Sequence, residues 1–80
     1  MTDKQSDKFY IKDLVSATYI MYNGVKFADG YDESSGCWVF EDPETCKKLD
    51  LQLRNGDAQV EILKYESARR TLLGMVRGRK

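Results

Sequence analysis

Eighty residues make one small domain and leave no room for a second. Thirteen Lys and Arg balance thirteen Asp and Glu, and histidine is absent. The zero net charge argues against attachment to nucleic acid by bulk charge, and the absence of histidine excludes Ser–His and Cys–His nucleophile pairs, His-ligated zinc and histidine pH switching.

With hydrophobic residues at 41% and charged residues at 32%, the composition is that of a polar-surfaced globular domain. Residues 1–7 carry no apolar side chain after the initiator and are expected to form a loose tail ahead of a single domain over 8–78, with a basic end at 79–80. The opening MTDKQSDKF lacks the apolar stretch of a signal peptide, and no run approaches the roughly 18–20 residues that span a bilayer. The expectation is a cytoplasmic protein with no membrane association.

Phe9-Tyr10-Ile11 alternates as a short strand, Phe9 and Ile11 on one side and Tyr10 on the other. Asp13 is the expected N-cap of a helix over Leu14–Tyr22. Leu14, Ala17, Ile20 and Met21 form its core stripe, and Asn23-Gly24 its stop. Val25 to Tyr31 is read as a second strand, with Val25, Phe27 and Tyr31 facing one way. Cys37 to Glu41 is a third, carrying Trp38 and Phe40. Asp32-Glu33-Ser34-Ser35-Gly36 between them has hairpin-loop chemistry.

Asp42-Pro43-Glu44 opens a second helix in the order cap, proline, acid. Cys46, Leu49 and Leu53 are its apolar stripe and Asn55-Gly56 its end. From Glu61 a third helix carries two rows, Ile62-Tyr65-Arg69-Leu72-Val76 and Ala68-Leu72-Met75, and stops at Gly78. The order β-α-β-β-α-α predicts an α+β fold, a three-stranded antiparallel sheet packed by three helices. So small a core makes dimerisation an ordinary remedy.

No constellation supports catalysis or a cofactor. Asp29, Asp32 and Glu33 lack the spacing of a calcium loop, and two cysteines without histidine cannot close a zinc site. Cys37 and Cys46 read as small buried thiols in a reduced protein, although one disulfide is geometrically open to them. The aromatics of the hairpin (Phe27, Tyr31, Trp38, Phe40) could form a base-stacking platform, but the surrounding acids favour core packing.

Two features point outward. Tyr10, Tyr19 and Tyr22 fall off the expected core stripes and are candidates for a protein interface. Charge is also segregated: residues 28–61 hold nine acids against three bases, whereas residues 62–80 hold six bases against Glu66. Arg70, Arg77, Arg79 and Lys80 could therefore contact phosphates. The simpler reading places them at a helix C-terminus for the macrodipole, or against the chain's own acids or a second copy's.

Four patterns occur in order: Phe9 through Asp13-Leu14, then Ala17…Ile20…Gly24, then Trp38-Val39-Phe40-Glu41-Asp42, and Ala68-Arg69-Arg70…Leu72. Across about residues 9–76 this order resembles a family of small bacterial and phage proteins known as a domain of unknown function. The resemblance implies this fold and a home in a phage, prophage or other mobile element, and it transfers no activity or catalytic residue. The expected function is a small non-catalytic interaction protein, phage or mobile-element encoded, that binds a host or self protein. The alternative is a nucleic-acid-binding accessory protein using the basic C-terminal helix.

Overall fold

The computed structural model describes residues 8–77. The elements run β1 (Lys8–Ile11), α1 (Leu14–Tyr22), β2 (Phe27–Asp32), β3 (Cys37–Glu41), α2 (Pro43–Arg54) and α3 (Ile62–Arg77). The fold is α+β, a three-stranded antiparallel sheet and three helices in the expected β-α-β-β-α-α order.

The most apolar strand takes the middle of the sheet, whose order is β1-β3-β2. Cys37, Trp38, Val39 and Phe40 of β3 are all buried. Phe9 lies opposite Phe40 and Ile11 opposite Trp38, on the face turned to the helices. The second strand departs from the clean alternation expected from Val25 onward: pairing starts at Phe27 and is interrupted before Gly30. Phe27 pairs with Phe40 and Tyr31 with Trp38, so four steps along β2 match two along β3. The excess is even, so Phe27 and Tyr31 still share one face. Their rings pack on Phe40 (centroids 4.7 Å) and Trp38 (5.4 Å).

Local caps set the helix boundaries. Asp13 Oδ2 accepts from the Ser16 amide at 3.0 Å, and Asp42 accepts from both the amide and the hydroxyl of Thr45. Asp42 does so with φ 57, the only non-glycine residue at positive φ among those described, a conformation that Asp tolerates through its short polar side chain. Asn23-Gly24 and Asn55-Gly56 end the two helices as expected.

All three helices cover one face of the sheet. Ala17 and Ile20 of α1, Cys46 of α2 and Leu72 of α3 join Ile11, Trp38 and Phe40 in one buried cluster. The indole of Trp38 donates to the Leu72 carbonyl at 3.3 Å. These aromatics are core, which removes the base-stacking platform. Both cysteines are free and buried. In α3 the row Ala68-Leu72-Met75, with Tyr65, is the packed one. The other row fails at both ends, Ile62 being 66% and Val76 37% exposed, and at its middle, where Arg69 faces solvent. The helix starts at Ile62, one residue later than expected.

On the opposite face of the sheet Tyr10 stands half exposed beside Val39. Lys8 Nζ reaches Asp29 Oδ2 at 2.9 Å, joining the two edge strands across β3. Val39 is fully buried between these neighbours. One sheet and one helical layer give a slab of 40 × 34 × 17 Å.

Candidate interaction surface

On α1, Leu14, Ala17, Ile20 and Met21 face the sheet, and at about 100° per residue the side opposite them is Val15, Tyr19 and Tyr22. Ser16 and Thr18 point sideways, and each meets a neighbouring helix. Ser16 Oγ donates to Asp50 Oδ1 of α2 at 2.8 Å. Thr18, which is fully buried, donates to the Leu14 carbonyl of its own helix at 2.7 Å and lies beside the Tyr65 side chain of α3. The helix therefore has α2 on one flank, α3 on the other and the sheet beneath. Its hydroxyl residues are buried because every polar atom is matched: among the described residues no buried side-chain nitrogen or oxygen lacks a partner.

This arrangement corrects the role expected of two tyrosines. Tyr19 is only 4% exposed, and its hydroxyl donates to Gln52 Oε1 of α2 at 2.8 Å. Tyr22 is half-buried, and its oxygen accepts from the Glu61 amide at 2.8 Å, fixing the link that enters α3. The Tyr19 and Tyr22 rings are stacked at 6.5 Å, and Tyr22 meets Tyr65 at 6.3 Å. Tyr65 donates to the Val15 carbonyl at 3.1 Å. Burial raises its phenol above the ordinary tyrosine range, so it remains a donor at neutral pH. The three rings staple α1 to its neighbours. Tyr10 alone keeps the expected exposure, and it lies on the other side of the slab.

The basic helix is only partly visible. Arg70 faces solvent as expected, with no carboxylate in ion-pair range among the described residues. Glu66 pairs instead with the adjacent Arg69 at 3.5 Å. Arg77 is the last residue of α3, and Arg79 and Lys80 lie outside the described residues. Beside α3, a shallow groove of about 500 Å³ is lined by Tyr22, Asn23, Lys64, Ser67 and Thr71, over Met21 and Ala68.

What the sequence reading missed is aliphatic. Val15 is 52% exposed, Leu51 58%, Ile62 66% and Leu63 73%. Val15 and Leu51 each stand opposite the buried stripe of their own helix, a placement that a helical wheel contains but that the neighbouring tyrosines and Leu49 and Leu53 obscured. Val15 touches Tyr65 through its carbonyl, Ile62 lies one turn before Tyr65, and Leu51 sits between the two residues of α2 that α1 engages. Each of the three helices thus leaves an aliphatic side chain exposed: Leu51 on α2, Val15 on α1 and Ile62 on α3.

Chemistry at the polar groups is muted. Burial, with Asp42 nearby, pushes the Cys46 thiol up to about 11, which keeps it protonated and poorly nucleophilic. The Asp32 carboxylate is lowered by hydrogen bonds from Ser35 and Ser34, which close the hairpin loop. Among the described residues no group of three or more His, Cys, Asp or Glu is placed to hold a metal ion, and no helix is long and apolar enough to cross a membrane. No protein-family model, curated protein or solved structure matches the chain, and nothing in these comparisons bears on the resemblance to the small bacterial and phage family.

Proposed function

We propose that the chain is a small non-catalytic interaction protein that binds another protein through the outer face of its helical layer. One observation carries this reading. The domain closes its core around Trp38, Phe40, Ile20 and Leu72 and satisfies its buried polar atoms, yet leaves Val15, Leu51 and Ile62 in water. Scattered surface aliphatics are common, but exposed aliphatics on each of three adjacent helices are the kind of surface that protein partners cover. The absence of histidine and the raised Cys46 thiol support a non-catalytic role.

The test is capture by the full chain, compared with Leu51→Lys and Ile62→Lys variants. A stoichiometric protein partner, or self-association, that the variants lose is the expected result. If wild type and variants behave alike, or nothing binds, the proposal fails. The exposed Arg70 favours a second reading, nucleic-acid binding by α3. Salt-titrated gel shifts decide it: phosphate contacts give affinity that falls steeply with salt.

A further inference from the structure

No further inference is drawn: the strongest candidate, the shallow groove between the end of α1 and α3, has the exposed Lys64 as its one charged group and no unpartnered buried polar atom aimed into it among the described residues, so nothing in the structure shows what would occupy it.

Discussion

Gly30 sits in the irregular stretch of β2 with φ +76, and a Cβ placed there would lie 3.3 Å from Met75 Cε. Two causes could therefore demand glycine: the backbone conformation, or the docking of the end of α3 onto β2. Gly56 separates them, since it has φ +80 and nothing within 4 Å. An alanine in the left-handed region costs about 1–2 kcal/mol. The Met75 methyl ends a flexible side chain and can retreat by a few tenths of an ångström, which adds only a fraction of that. Gly30→Ala and Gly56→Ala should therefore destabilise by similar amounts, within about 0.5 kcal/mol of each other, each lowering Tm by about 4–15 °C. Urea unfolding followed by fluorescence of Trp38, the only tryptophan and 6% exposed, measures both. If Gly30→Ala costs about 3 kcal/mol more than Gly56→Ala, and a Met75→Ala background removes the excess, helix docking rather than φ dictates the glycine and the reasoning is wrong.

Ser16→Ala should cost about 1.5–3 kcal/mol in the same urea assay, because it takes a 2.8 Å donor from the Asp50 carboxylate, whose side chain is only 17% exposed. Arg69→Ala and Arg70→Ala should differ by less than about 0.5 kcal/mol, since the Arg69–Glu66 pair is half exposed on both sides. The Cys46 thiol stands at about 11 in the fold against an ordinary 9.0, so the folded chain holds its proton longer than the unfolded one. That contribution is fully present below pH 9.0 and is lost as pH rises through about 11, up to about 3 kcal/mol. Compared with Cys46→Ala, wild type should show the steeper stability decline across that window. Equal slopes would refute it.

The helix ends were legible because capping is local. Asp13 and Asp42, the Asn-Gly stops and the Pro43 start each act over three or four residues, and all stand where the sequence puts them. The tyrosines of α1 were not legible, because periodicity reports one buried face and α1 has three. A helix at the middle of a layer is covered on both flanks, so Tyr19 is buried although it lies opposite the sheet-facing stripe. In α3, two rows share Leu72 and are equally periodic. Only the tertiary crossing decides between them, and its first turn, with Ile62 and Leu63, is left exposed. The irregularity in β2 also escaped, because an even insertion leaves the Phe27–Tyr31 alternation undisturbed.

Charge segregation along the chain proved a poor guide to charge in space. Arg54–Asp50 and Arg69–Glu66 are spaced i,i+4 and i,i+3 within single helices, so these bases are matched by near neighbours in sequence. Lys8–Asp29, which does bridge distant segments, joins the edge strands of the sheet. The exposed aliphatics have no such local match. Each points away from the core, so exchanging Leu51 or Ile62 for a polar residue should cost the monomer little stability. A lone domain gains nothing from keeping them in water and loses solubility by it. The proposed protein partner would cover them, since exposed aliphatics suit a protein surface better than a phosphate backbone.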